Sequence, residues 1–464
     1  MREILERQRA AFLRDGPPPA AARRNDLLRL KRLLTGHRDE IAAAVSADFG
    51  HRSWHETLLA DVFTTVSGIK HARRHVAAWM KPERRPVPLH FRPGRARVVY
   101  QPLGVVGIIS PWNYPVGLAL APLTAALAAG NRAMLKPSEY TPATSALLAR
   151  LLGEAFPLEQ VAVVTGGPDT GAAFSALPFD HLFFTGSAPV GRAILRAASE
   201  NLVPVTLELG GKSPALVGPG FPIDRAARSI AHGKLLNAGQ TCVAPDYALV
   251  PEADAERFAA AFAAQAARLY PRLLYNPDYS SIVSPPHRER LVALVEDARA
   301  KGARVLEINP AGEDFTRHAG RKFPPMLLLD TTDDMTVMQR EIFGPILPVR
   351  PYRDFAEALA YINDRPRPLA LYYFDLDRER QRTVLARTTS GGVSINDTLL
   401  QYLQEDLPFG GIGSSGMGAY HGREGFLLFS HCKAVFAQSR VNLADLLRPP
   451  YRKRVAALVG ALMR

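Results

Sequence analysis

From residue 104 to residue 199 the sequence alternates short apolar runs with longer stretches of helical spacing, and glycine or proline marks most of the changes. Residues 104–110, 132–135, 161–164 and 181–184 are short and almost continuously apolar, which reads as buried strands. Residues 118–129, 141–156, 169–176 and 189–199 read as the helices between them. Gly130 suits a helix C-terminal cap, and Pro189 suits a first turn. The rhythm resumes further on. Helices are expected at 253–269, 286–302 and 354–363, and strands at 203–209, 247–250, 304–307, 325–328, 346–349 and 369–374. Such a chain is confined to the α/β class, with two α/β domains.

Length agrees, because 464 residues exceed one ordinary domain. At 47% hydrophobic and 22% charged, the chain can bury a large core without covalent staples. Its two cysteines exclude a disulfide framework and suit a reducing compartment, so a cytoplasmic protein is expected. Residues 1–14 are charged throughout and lack the apolar centre of a signal peptide. The longest apolar run, 116–129, is short for a bilayer span and contains Pro122. Net charge is +13, yet the basic residues are scattered apart from 81–97 and 448–454. Without C-x-x-C pairs or helix-turn-helix cues, no specific nucleic-acid partner is expected. No metal site is expected either. At most, the basic tail 441–464 makes a weak peripheral contact with an anionic membrane.

The flanks are simpler. Residues 4–13, 25–34, 38–47 and 54–80 have helical spacing. Residues 81–94 are rich in proline and arginine, which excludes a helix or a central strand. Residues 95–100 read as an edge strand, and 431–438 as a strand that contains Cys432 as a structural residue. His181 and His431 are expected to pack.

The residues able to do chemistry are few and clustered. Cys242 lies in Gly239-Gln240-Thr241-Cys242-Val243-Ala244-Pro245-Asp246-Tyr247, after an expected helix over 224–237. Gly239 permits a sharp turn, which would present the thiol to a pocket. A cysteine is more often a small buried hydrophobe. Thirty-four residues earlier, however, Leu207-Glu208-Leu209-Gly210-Gly211-Lys212-Ser213-Pro214 places a carboxylate inside an apolar strand, where it is disfavoured without a task or a partner. Pro111-Trp112-Asn113-Tyr114-Pro115 is a turn at a strand's end, where α/β sheets collect ligand groups. Lys136-Pro137-Ser138-Glu139 ends the next strand. Thr185-Gly186-Ser187 joins a strand to a helix N-terminus, a ready anion site.

The pairing of L-E-L-G-G-K-S-P with G-Q-T-C resembles the aldehyde dehydrogenase superfamily, and A-P-D-Y resembles its short, class 3 branch. P-W-N-Y-P, K-P-S-E, F-T-G-S-x-x-V-G, E-I-F-G-P and the glycine-dense segment 407–422 match further family motifs in order. Gln404-Glu405-Asp406 before Leu407-Pro408-Phe409 looks closest to the coniferyl aldehyde dehydrogenase subgroup. The resemblance implies a Rossmann-like cofactor domain (1–83 and 103–208), a catalytic domain (209–408) and a β bridging arm (84–102 and 430–440) that pairs two subunits as a homodimer. It implies oxidation of an aromatic or medium-chain aldehyde by NAD, with NADP as an alternative cofactor. Cys242 would be the nucleophile, Asn113 an oxyanion donor and Glu208 the base. Lys136, Glu139, Gly186, Ser187, Gly191, Leu209, Gly210, Glu341 and Phe343 would hold the cofactor. Trp112, Tyr114, Thr241, Tyr402 and His421 would line the substrate pocket. The competing reading, a non-catalytic binding protein on the same scaffold, is opposed by the intact Cys242, Glu208 and Asn113.

Overall fold

The computed structural model describes residues 1–463 except 318, 319, 441, 443, 446, 447 and 452. Three sheets organise the described chain. The first has six strands in the spatial order Gly416–Met417, Val205–Leu209, His181–Gly186, Val105–Ile109, Arg132–Lys136 and Val161–Val163. All pair in parallel except Gly416–Met417. Helices cover such a sheet on both faces, which is why Val105–Ile109 is buried at every residue. From Val105–Ile109 the chain steps outward to Arg132–Lys136 and Val161–Val163, then crosses back to lay His181–Gly186 on the other side. This reversal opens a crevice beyond the carboxyl ends of Val105–Ile109 and His181–Gly186, where an α/β sheet binds its ligand.

The second sheet has seven strands in the order Arg304–Glu307, Met326–Leu329, Ile346–Tyr352, Tyr247–Pro251, Pro214–Val217, Ala370–Phe374 and Gly392–Ile395. Only the edge strand Arg304–Glu307 runs antiparallel. Pro214–Val217 is fully buried and follows directly on the first sheet, so the segment 210–213 passes from one sheet to the other.

Glu83–Arg85, Arg95–Pro102 and Ser430–Ala437 form a separate antiparallel sheet. Here two expectations change. Cys432 and His431 are exposed rather than packed, because Ser430–Ala437 is an edge strand and within one chain is buried only at its first residue. His181 does pack: it is buried, and its Nε2 lies 2.9 Å from the Thr206 hydroxyl. Burial pushes its pKa down to about 4.

Two helices also differ from their pattern. Residues 54–80 are not one regular helix. Trp54–Glu56 leads into the wider π-wound turn Thr57–Phe63, and Thr64–Trp79 resumes the α-helix. The helix before the cysteine is Ile223–Leu235, which ends two residues earlier than expected. Asn237, Ala238 and Gly239 then take left-handed φ values of 52°, 50° and 74°. Tertiary contact decides this turn, since a Cβ on Gly239 would lie 2.3 Å from the Gly344 carbonyl. Of the expected tail, 441, 443, 446, 447, 452 and 464 lie outside the described residues, and Lys453–Leu462 is a helix.

Candidate active site

Asn113 leaves the carboxyl end of Val105–Ile109 inside the crevice. It is buried, and its position is over-determined. Its backbone carbonyl accepts from Arg52 Nη1 at 2.8 Å and from Asn237 Nδ2 at 3.0 Å. Its own Nδ2 donates to the Gln240 carbonyl at 3.1 Å. An amide nitrogen has two hydrogens, so one remains for another acceptor. Gln240 is itself tied to Asn237, Ser281 and Val283.

Arg52 is fully buried behind this turn. Its guanidinium stacks 4.8 Å from the Tyr114 ring and 5.1 Å from the Phe49 ring. Its Nη2 lies 3.2 Å from Asp61 Oδ2, an ion pair by distance without hydrogen-bond alignment. Asp61, in the π-wound turn, accepts from the Gly117 and Val116 amides at 2.7 and 3.2 Å. That carboxylate therefore caps the donors at the start of the helix Gly117–Ala129. The left-handed turn before the cysteine and the turn carrying Asn113 are joined through this one polar network.

Glu208 is the penultimate residue of Val205–Leu209, paired in register with Thr185 and Gly416. It is 1% exposed, and neither carboxylate oxygen completes a hydrogen bond of regular geometry. Burial raises its pKa to about 7, while the nearby Cys242 thiol and Thr185 hydroxyl pull it down less strongly. Cys242 is half-buried and lines the cleft. Burial first, then the carboxylates of Glu208 and Glu341, push its pKa well above that of an ordinary thiol. The protonated thiol is thus the resting form, beside an unpartnered base. The Cys242 backbone N–H donates to no group among the described residues.

Asp246, in the run Ala244-Pro245-Asp246-Tyr247 that follows the thiol, anchors two further loops. Its carboxylate pairs with Lys212 and accepts from the Ile342 amide at 2.9 Å. The Glu341 loop is also held by Arg290, whose nitrogens donate to the Glu341 and Ile342 carbonyls at 3.2 and 2.5 Å. Burial, then the Asp246 charge, raises the Glu341 pKa to about 8. A Cβ on Gly210 would lie 2.1 Å from Glu341 Oε1, so only glycine leaves room for this carboxylate.

The cleft is lined by Asn113, Glu208, Leu209, Gly210, Cys242, Glu341 and Phe343. Through Pro111, Trp112, Gly186, Ser187 and His287 it continues into a groove that ends at Lys136 and Glu139. Lys136 Nζ lies 2.7 Å from Glu139 Oε2. Midway, the helix Ala188–Ser199 begins without a side-chain cap, leaving its first amides for an anion. Gly191 does not line the groove. It sits inside, where a Cβ would be 3.0 Å from Leu209 Cδ2, and lets the helix approach the strand. A channel from a thiol past an uncapped helix N-terminus to a lysine–glutamate pair fits a nicotinamide dinucleotide.

The residues expected around the substrate fall into three places. Trp112 walls the cleft edge-on to His287 and Phe343, with ring centres 4.9 and 5.3 Å away. Tyr114 and Thr241 are buried behind it, their hydroxyls 2.6 Å apart. Tyr402 and His421 line a second pocket that shares no residue with the cleft. Sequence reasoning passed over Arg52, Asp61, Asn237, Gln240, His287 and Arg290. Of these, only Gln240 carried a signal, standing two residues before the cysteine.

The sequence profile described as "Aldehyde dehydrogenase family" matches residues 2–435. The "Probable coniferyl aldehyde dehydrogenase" of Caulobacter vibrioides is 55% identical over 97% of this chain and 94% of that protein. The substrate-bound AldH of Staphylococcus aureus superposes with a TM-score of 0.94 at 37% identity, over 100% of this chain and 99% of that one. A Mycobacterium tuberculosis aldehyde dehydrogenase complexed with NAD+ superposes with a TM-score of 0.84 at 29% identity, over 93% and 88%. The chain belongs to the aldehyde dehydrogenase family. Its activity is the NAD(P)-dependent oxidation of an aldehyde to a carboxylic acid. No helix among the described residues is long and apolar enough to cross a membrane.

Proposed function

We propose that this enzyme oxidises aromatic aldehydes of the coniferyl type, with Cys242 as nucleophile and water as the final acyl acceptor. One observation carries the mechanism: the thiol faces an unpartnered buried carboxylate in a cleft whose other wall offers a fixed amide. Glu208, poised near neutrality, takes the thiol proton as sulfur attacks the aldehyde carbon. The oxyanion accepts from the free hydrogen of the Asn113 amide and from the Cys242 backbone N–H. The dinucleotide, when bound, accepts the hydride. Glu208 then activates the water that hydrolyses the thioester.

Gly186 and Ser187 receive the pyrophosphate at the helix start, Lys136 and Glu139 the adenosine ribose, and Leu209, Gly210, Glu341 and Phe343 the nicotinamide end. Gly191 acts from behind, by packing. The polypeptide divides into a cofactor domain (1–83 and 103–208), a catalytic domain (209–408) and an arm (84–102 and 430–440). The free edge of Ser430–Ala437, with Phe436 52% exposed, supports pairing of two copies through the arm. Two free cysteines suit the cytoplasm. The substrate class draws on the name of the Caulobacter relative. A panel of cinnamaldehydes, benzaldehydes and alkanals, followed by NAD(P)H absorbance, tests it. Preference for alkanals, or a requirement for coenzyme A, would overturn this reading.

A further inference from the structure

The turn before Cys242 is held from a distant part of the chain. Asn237 and Ala238 take left-handed φ values of 52° and 50°, although both carry side chains. Such backbone is costly away from glycine and persists only where the surroundings enforce it. Both residues are fully buried, and the group that meets them is a carboxylate. Glu56 ends the short helix Trp54–Glu56 and is itself buried, 181 residues from the turn. Its Oε1 accepts from the Asn237 backbone N–H at 3.1 Å. Its Oε2 accepts from the Ser280 hydroxyl at 2.6 Å, and Ser280 Oγ in turn accepts from the Ser53 amide at 3.3 Å. Each carboxylate oxygen thus has a donor.

Direct hydrogen bonds connect this contact to the chemistry. Asn237 Nδ2 donates to the Asn113 and Gln240 carbonyls at 3.0 and 3.2 Å. The Gln240 carbonyl also accepts from the Asn113 side chain, and Cys242 stands two residues further on. The backbone of Asn237 therefore shapes the turn that presents the thiol, while its side chain ties that turn to Asn113. Glu56 does not line the cleft. It stands four residues after Arg52, which grips the same Asn113 carbonyl. One short segment thus holds both the amide and the turn of the thiol.

We infer that Glu56 is a positioning residue for the oxidation: by accepting from the Asn237 amide it holds the left-handed turn, and with it the Cys242 thiol and backbone N–H, in register with the Asn113 side chain. The inference rests on the proposed roles of Cys242 and Asn113. Without this acceptor the Asn237 N–H is buried and unpaired, and the turn relaxes towards the helix that its sequence pattern favours. The oxyanion donors then no longer converge on one point. A misplacement of about 1 Å costs about 10²-fold in rate.

The test measures kcat per folded active site, KM for the aldehyde and, in the absence of turnover, the Kd of NADH by fluorescence. Glu56→Leu, similar in size but without an acceptor, should lower kcat by about 10–100-fold, with KM and Kd changed by less than about threefold. Glu56→Gln keeps an oxygen for the Asn237 N–H and should retain kcat within about threefold. Ser280→Ala disturbs the same carboxylate from the side away from the turn, and its kcat should likewise stay within about threefold of the parent. Glu56→Asp is too short to reach both partners. It replaces the leucine variant if that fails to fold, with an expected loss of about tenfold. Parental kcat in the variant used, or an equal loss in Glu56→Gln or Ser280→Ala, would overturn the inference. Turnover by Cys242→Ala would instead overturn the mechanism on which it rests.

Discussion

Asn113 and Glu208 flank the same thiol and are equally buried, at 3% and 1% exposure, yet their surroundings are opposite. Asn113 is gripped from several sides by Arg52, Asn237 and Gln240. Glu208 has both oxygens free of regular hydrogen bonds. In the proposed mechanism the contrast separates two catalytic needs. A donor to a developing oxyanion works best when already oriented, because no reorganisation is then needed as charge appears. A base that handles two protons in turn needs free oxygens and a pKa near the working pH. Burial without partners supplies that pKa, and bonding Glu208 as firmly as Asn113 would depress it.

Replacing the group they share has the largest effect. Cys242→Ala should abolish NADH formation, including any pre-steady-state burst, a loss on the order of 10⁵ or more. A residual burst would move the nucleophile elsewhere.

Next is the free carboxylate. Glu208→Gln should slow the first hydride transfer as well as the release of acid, because its amide takes neither the thiol's proton nor water's, with turnover lowered by about 10²–10⁴. Parental turnover would refute its role in hydrolysis. The pH profile sharpens the point. The base must be ionised to take water's proton, so the parent rate should rise with pH through about 7 and level off above it. In Glu208→Gln that limb should vanish.

The tethered amide comes third. Asn113→Ala should lower kcat by about 10²–10³, the usual cost of one oxyanion donor. A loss below about threefold would remove it from that role.

The tether itself should matter less, since Asn237 continues to hold the turn. Arg52→Lys keeps the charge for Asp61 but loses the planar fork, and should lower kcat by about tenfold or less with little change in KM. In an Asn113→Ala background it should cost no further kcat, a coupling readable by a double-mutant cycle. Fully additive losses would show that Arg52 acts on stability rather than on Asn113.

The smallest expected effect lies at the far end of the groove. Glu139→Gln removes a charge that repels a 2′-phosphate and should shift preference towards NADP by a few-fold. An unchanged NAD/NADP ratio would displace the adenosine ribose from Lys136 and Glu139.

Much of the groove proposed for the cofactor was legible in the residue order. Gly186 and Ser187 fall between a strand and a helix, and Lys136 ends a strand, because periodicity and glycine–proline punctuation are local signals. Glu208 stood out as a carboxylate in an apolar run. By contrast, nothing local marked Arg52 or Asp61, whose partners lie 61 and 56 residues away.

The amino-acid sequence by itself determined the α/β class, the strand–turn–helix units and the identities of thiol, carboxylate and amide. These depend on the spacing of apolar residues and on what glycine and proline permit over a few neighbours. Only the tertiary structure decided how those groups are held. The left-handed turn at Asn237 and Ala238 overrides a helical pattern because Asn237 bonds to Asn113, 124 residues away, and Gly239 packs against Gly344. The thiol's raised pKa, the free oxygens of Glu208 and the division of the expected substrate residues between two pockets likewise arise from burial and from long-range contacts. Local sequence cannot encode these quantities, because each is a property of surroundings assembled from distant parts of the chain.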